Sequence, residues 1–343
     1  MGQIGMKATL KSIAEEAGVS VSTVSYVLNR HGRITKESHR KIIEIAEKYN
    51  YVPDAKARSL VTGVTNNIGL MINKNADALF EQQYITKCIT EFGNALEQYS
   101  GWLSLCMARE VSTQKMRQYL TNANFDGIIF LHANNPRQIV DLLKDRVIPC
   151  AFINASFVDG AVANITCDDE KGIGMAVEHL VRLGYREILY LASKDPNDVH
   201  EYDVRRVAFE KAAREDGLEK ADVLYTGLAY EGIHKAWSEY LTTHDTPLAV
   251  IAASDEIAWE TFVVLASRGI NPRSVSIVGF DDVNIEKNEQ LGLTTIRQPM
   301  GDIVRSCIDY IYRSIEQHQI EPYAKVWSPE LVVRTSTYAC KSD

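Results

Sequence analysis

Between Thr9 and Asn29 the apolar positions keep helical spacing twice, broken by a three-residue interruption. Ile13, Ala14 and Ala17 share one face, and Val24, Val27 and Leu28 share another. The interruption, Gly18-Val19-Ser20, predicts a tight turn. Glycine ends a helix cheaply in the left-handed conformation, and Ser20 can cap the next helix, leaving Ser22 and Thr23 near its exposed start. A third helix is predicted over residues 36–49, capped by Thr35, with Ile42, Ile45, Ala46 and Tyr49 facing inward. This is helix-turn-helix spacing, which can lay one short helix in a DNA major groove. Residues 54–62, after Pro53, are good helix formers, but so short a helix is unstable in isolation.

From residue 66 the pattern changes. Short apolar runs at 68–72, 102–107, 127–131, 150–153, 188–191, 249–253 and 276–279 alternate with amphipathic stretches at 82–99, 171–183, 206–216, 233–243 and 255–268. Such alternation predicts parallel sheets with helices on both faces. Ligands in such folds sit beyond the carboxyl ends of strands. Polar residues just past a strand are therefore the pocket candidates: Asn154 after CAFI, Ser254 and Asp255 after VIAA, and Asp281 after SIVGF. Asp168 and Asp169 precede a helix and are read as its cap, and His179 is read as structural.

Length and charge sharpen the division. At 343 residues the chain should fold as two or three domains. Residues 1–62 carry a balance of +4 and the remainder −12, giving the net −8. A basic head on an acidic body fits phosphate binding at one end, with Lys11, Arg30, Arg33, Lys36, Arg40 and Lys41 as candidate contacts. The six cysteines are widely spaced without a CxxC pair, which predicts buried reduced thiols and no metal site. No run is long enough for a membrane span and the amino terminus shows no apolar signal core, so a cytoplasmic protein is expected.

The stretches TLKSIAEEAGVSVSTVSYVLN, YVPDAKARSL, NNIGLMI, DDEKGIGMAVEHLVRLGYREI, AASDEIAWETF, VSIVGFDD and LTTIRQP together resemble the LacI/GalR family of bacterial transcription regulators over nearly the whole chain. The resemblance implies a three-helix helix-turn-helix head at 8–53, a hinge helix and linker at 54–65, and a two-lobed α/β core at 66–343 like that of periplasmic sugar-binding proteins. Lobe one would take about 66–165 and 298–327, lobe two about 166–297 and 328–340, with three crossovers and the effector between them.

The implied DNA-binding residues are Ser20, Val21, Ser22, Thr23, Tyr26, Asn29 and Arg33, with Ala57 and Leu60 in the hinge. Leu60 stands where the family wedges a leucine into a central base step. Tyr26 departs from the Arg or His common there, so no bidentate contact to guanine is available at that position. The implied effector-binding residues are Phe80 (beside Leu79), Asn154, Arg205, Ser254 and Asp281. Asn154 stands where Asp is common.

The expected function is a homodimeric, ligand-responsive repressor of pseudo-palindromic operator DNA, not an enzyme, without cofactor, with a sugar as the favoured effector. The competing readings are a transporter-associated solute-binding protein, a sugar-acting enzyme carrying a regulatory head, and a regulator sensing a purine or a protein partner.

Overall fold

The computed structural model describes residues 9–28, 36–51, 64–72, 82–107, 125–131, 133, 136–143, 148–155, 162–193, 201–227 and 230–340. The chain forms two compact units, residues 1–65 and residues 66–343.

In the first unit, α1 (Leu10–Ala17) opens on reciprocal caps. The Thr9 hydroxyl accepts from the Ser12 N–H at 3.2 Å, and the Ser12 hydroxyl accepts from the Thr9 N–H at 2.9 Å. Gly18, at φ 71°, closes it in the left-handed conformation. Ser20 Oγ accepts from the Thr23 N–H at 3.1 Å and so starts α2 (Val21–Leu28). With α3 (Lys36–Lys48), these helices enclose Ile13, Ala14, Ala17, Val24, Val27, Ile42, Ile45 and Ala46.

Tyr49 corrects the sequence-based expectation: it is 43% exposed, and its hydroxyl donates to Glu16 at 2.5 Å. Asn50, at φ 47°, turns the chain back, so Tyr51 rather than Tyr49 covers the core. Lys41 also has a local role. Its ammonium donates to the Ala17 carbonyl at 2.9 Å, capping the end of α1.

The second unit holds two six-stranded sheets. Sheet one is built from β1 (Asn67–Ile72), β2 (Trp102–Met107), β3 (Gly127–Leu131), β4 (Cys150–Ile153), β5 (Ala163–Cys167) and β11 (Tyr323–Trp327), in the order β11-β5-β4-β3-β1-β2, every pair parallel. Sheet two is built from β6 (Glu187–Ala192), β7 (Lys220–Tyr225), β8 (Ala249–Ala252), β9 (Ser276–Asp281), β10 (Thr294–Arg297) and β12 (Glu330–Val332), in the order β12-β10-β9-β8-β6-β7. Only the β10–β12 pair is antiparallel.

Helices cover both sheets. In sequence order they are α4 (Gln83–Glu97), α5 (Pro136–Leu143), α6 (Asp169–Arg182), α7 (Glu201–Glu215), α8 (Tyr230–Thr243), α9 (Asp255–Ser267), α10 (Ile285–Leu291) and α11 (Met300–Gln317). α11 packs on β3, β4, β5 and β11, while α6 packs on β8, β10 and β12. Helix α7 begins at Glu201, earlier than its periodicity suggests.

The chain passes between the sheets three times, after β5, after β10 and after β11. Each crossing leaves from the carboxyl end of its strand. That explains β12: a segment entering sheet two from the carboxyl end must run against its neighbour β10. The first and third crossings touch, since the Asp168 N–H donates to the Trp327 carbonyl at 2.8 Å. Among the described residues no helix is long and apolar enough to cross a membrane.

Candidate functional site

On the head, burial divides α2 cleanly. Val24 and Val27 are buried, whereas Val21 and Tyr26 are 44% and 46% exposed and Ser22 is also exposed. The hydroxyls of Ser22 and Thr23 both lie 2.7 Å from Ser20 Oγ, so the start of α2 is a small polar cluster. Two exposed apolar side chains with hydroxyls between them form a surface able to meet base edges and thymine methyls. Asn29, Arg33, Ala57 and Leu60 lie outside the described residues.

In the core unit the candidates converge on Arg205. Helix α7 carries it under the carboxyl ends of sheet two, where it is only 2% exposed. Its Nε donates to Asp169 Oδ2 at 3.0 Å and its Nη1 to the Ala253 carbonyl at 2.7 Å, with Asp281 Oδ1 at 3.2 Å. The guanidinium lies 3.8 Å from the centre of the Phe280 ring. Arg206, its neighbour, turns outward to Glu210 at 2.5 Å. Behind Arg205 the rings of Tyr190 and Phe209 stack at 4.9 Å.

Asp281 ends β9 at φ 112°, a strained position for any residue with a side chain, and accepts from Gln298 Nε2 at 2.7 Å. Burial pushes its carboxyl well above the ordinary range, and the Arg205 charge offsets only part of that. Burial raises Asp169 as well, against the pull of Arg205. The four buried atoms Asp169 Oδ1, Tyr190 Oη, Ser193 Oγ and Gln298 Oε1 have no hydrogen-bond partner. Of these, Asp169 contacts Arg205 directly and Gln298 is joined to it through Asp281, so polar valences are left over beside the arginine.

The other candidates differ in role. Ser254 is fully buried and caps α9, accepting from the Ile257 N–H at 3.4 Å. Asn154, at φ 53°, ties β5 to α4 within the sheet-one lobe: Oδ1 accepts from the Cys167 N–H at 2.9 Å, and Nδ2 donates to the Tyr84 hydroxyl at 3.2 Å. It lies at the end of a sheet-one strand, while Arg205 and Asp281 belong to the sheet-two lobe. Phe80 and Leu79 lie outside the described residues.

The sequence pattern does not single out Asp169 as a site residue, and it passes over Gln298 altogether. Both follow strands whose residues are too mixed to stand out as apolar runs, β5 and β10. Of the Asp168–Asp169 pair only Asp168 is the cap expected, accepting from the Lys171 N–H at 3.0 Å. Asp169 points the other way, to Arg205. His179 shares its Nε2 with the Thr337 hydroxyl at 2.9 Å.

A second buried set supports the first. Asp255 accepts from Thr295 Oγ1 at 2.6 Å, Asn288 Nδ2 at 2.8 Å and the Val283 N–H at 3.3 Å. Burial nevertheless pushes its carboxyl up to about 7. For Asp282, burial opposes ionisation, but hydrogen bonds from Asn288 and Arg297 and the charge of Arg334 outweigh it and hold its carboxyl below the usual range. These contacts fix the backbone on which Asp281 sits.

Comparison with known proteins agrees with this architecture. Residues 9–54 match the family described as bacterial regulatory proteins, lacI family, and residues 177–337 match the periplasmic binding protein-like domain. The chain is 26% identical over 342 residues to the HTH-type transcriptional regulator RegA of Clostridium saccharobutylicum, covering 97% of this chain and 100% of RegA. The fold is shared with the lac repressor dimer bound to operator and the anti-inducer ONPF, with TM-score 0.74, 21% identity, and 97% and 100% of the two chains covered. It is also shared with the transcriptional regulator CelR in complex with cellobiose, with TM-score 0.70, 23% identity, and 96% and 100% covered. With its lacI-type head and its periplasmic-binding-protein-like core, the chain belongs to the LacI family of transcription regulators.

Proposed function

We propose that this protein is a homodimeric repressor that binds a pseudo-palindromic operator through α2 and releases or tightens its grip when a small polyhydroxylated ligand, most simply a sugar, enters between the two core lobes. The observation that carries the effector half is Arg205, buried between Asp169 and Asp281 with unsatisfied oxygens on Asp169 and on Gln298, the partner of Asp281. A planar fork beside two carboxylates suits adjacent hydroxyls, which both accept and donate. The CelR structure holds cellobiose in the same fold, which favours the sugar reading.

Operator recognition rests on Val21, Ser22 and Tyr26, with Ser20, Thr23, Asn29 and Arg33 around them, and with Ala57 and Leu60 at the operator centre. We extend the proposed cleft to Phe80, Asn154 and Ser254, Asn154 from the end of β4 and Ser254 from the cap of α9. Dimerisation is supported by edge strand β2, where Trp102 is 67% and Leu105 42% exposed. The protein would act in the cytoplasm, where operator DNA is, and without any catalytic step.

Footprinting the DNA upstream of its own gene, with and without a panel of sugars, tests this. Protection of a two-fold site that Leu60→Ala weakens and one sugar alters is expected. Unchanged protection in Leu60→Ala would remove the hinge. Indifference of the footprint to every sugar, together with full control in Arg205→Ala, would remove the effector site.

A further inference from the structure

The two lobes meet at a contact that the effector residues do not explain. Helix α4, in the sheet-one lobe, starts at Gln83, and its N-cap residue, Gln82, makes no side-chain cap. A helix start without a cap leaves N–H groups unsatisfied. Here the missing acceptor comes from the other lobe: Glu256 Oε1 accepts from the Gln83 N–H at 3.0 Å.

Glu256 itself is held rigidly. It lies in the first turn of α9, one residue past Asp255, whose carboxylate is tied to Thr295, Asn288 and Val283. Backbone N–H groups of Gln83 and Tyr84 and the Ser254 hydroxyl all act on its carboxylate. It therefore stands where two helix N-termini converge, whose N–H groups stabilise its carboxylate against a burial that raises its pKa above the ordinary range.

A second contact follows the same seam. Asp281 and Asp282 both adopt positive φ, 112° and 51°, and the turn they make projects Val283 outward. Val283 packs against the hydrophobic cores of both lobes, and its N–H is the donor held by Asp255. Adjacent carboxylates at the start of α9 thus hold an apolar bridge and a charged cap across the same boundary. Tyr84, beside Gln83, receives the amide of Asn154. Glu256 in turn is one of the charges that raise Asp281. Both sides of the contact are within reach of the proposed effector residues.

We propose that Glu256 is an inter-lobe latch: by capping α4 from the opposite lobe, it holds the core closed and sets how far the lobes open. The latch builds on the effector cleft proposed above but concerns a residue that need not touch the ligand. It makes closure a matter of one charged contact superimposed on an apolar bridge.

The test uses the full-length protein without added ligand. Fluorescent probes at the exposed positions Glu97 and Glu215, one per lobe, report the inter-lobe distance, with labelled chains diluted into unlabelled ones. Hydrogen exchange reports the Gln83 and Tyr84 amides. Glu256→Ala should lengthen the distance and speed exchange at both amides, while Glu256→Gln, which keeps an acceptor but not the charge, should fall between.

The deciding variant combines Glu256→Ala with Gln82→Asp, which gives α4 a cap of its own. The latch requires the amides to regain protection while the lobes stay apart. An unchanged distance in Glu256→Ala would overturn it, as would closure restored by Gln82→Asp, because the contact would then be a helix cap and nothing more. Lobe opening in a protein that yields no operator footprint would uphold the latch and remove the regulator reading instead.

Discussion

Arg205 and Asp169 form a buried ion pair, Nε to Oδ2 at 3.0 Å, that joins helix α7 to the first residue of α6. Removing the arginine would leave Asp169 and Asp281 buried without their cation. Arg205→Ala should cost about 3–5 kcal/mol of stability, as broken buried pairs do, visible as a lowered melting temperature. Asp169→Asn, which preserves shape and leaves Asp281 in place, should lose less stability yet bind the switching sugar about tenfold or more weakly by calorimetry. Unaltered sugar affinity in Asp169→Asn would take Asp169 out of the site.

Asp255 gives the core a pH dependence of definite sign. Its folded carboxyl is raised to about 7 from 3.8 by burial, so the folded state holds a proton that the unfolded chain has already released. The stabilisation from that proton is complete below about pH 4 and is lost as pH rises through about 7. Melting temperature should therefore fall between these limits more steeply in the native protein than in Asp255→Asn. A tenfold difference in proton affinity between the folded and unfolded chain is worth about 1.4 kcal/mol. Parallel pH curves for the two proteins would refute the assignment.

Gly279 lies in β9 directly beneath Asp255. A Cβ there would stand 2.4 Å from Asp255 Oδ1, 3.1 Å from Leu293 and 3.2 Å from Thr295 Oγ1. Gly279→Ala should displace the Asp255–Thr295 hydrogen bond and destabilise the core by about 1–3 kcal/mol, as overpacking does. Unfolding by denaturant measures it, and a midpoint equal to that of the native protein would contradict the geometry.

Tyr26 projects from α2 without serving the head's core. Tyr26→Ala should leave melting unchanged and weaken the footprinted operator about tenfold, within the range of a single base contact. Affinity for unrelated DNA at the same salt should stay the same. Equal losses on both DNAs would make Tyr26 a backbone contact rather than a base reader.

The sequence is legible where a residue type has one dominant physical reason. Gly18 and Ser20 stop and start helices, and the short, evenly spaced apolar runs of β3, β4 and β8 suit a sheet buried on both faces. It is illegible where polar residues are buried because a distant partner satisfies them. Thr294 and Thr295 carry no apolar signal, yet both are fully buried in β10, the first bonded to Thr337 at 3.0 Å and the second to Asp255. With β10 hidden, Gln298 is hidden too, and β5 conceals the role of Asp169 in the same way. Tyr49 departs from its pattern for a local reason, since a positive φ at Asn50 decides which tyrosine returns to the core.

The three crossings between the sheets all lie at the carboxyl ends of strands, and two of them are hydrogen-bonded to each other through Asp168 and Trp327. Three straps fastened along one margin let two plates swing like the covers of a book but resist sliding or unscrewing. On the function proposed above, an occupant of the cleft would act chiefly through a single number, the angle between the covers. The chemistry of the cleft and the wording of the DNA face are then free to change independently, because neither has to know more about the other than that angle.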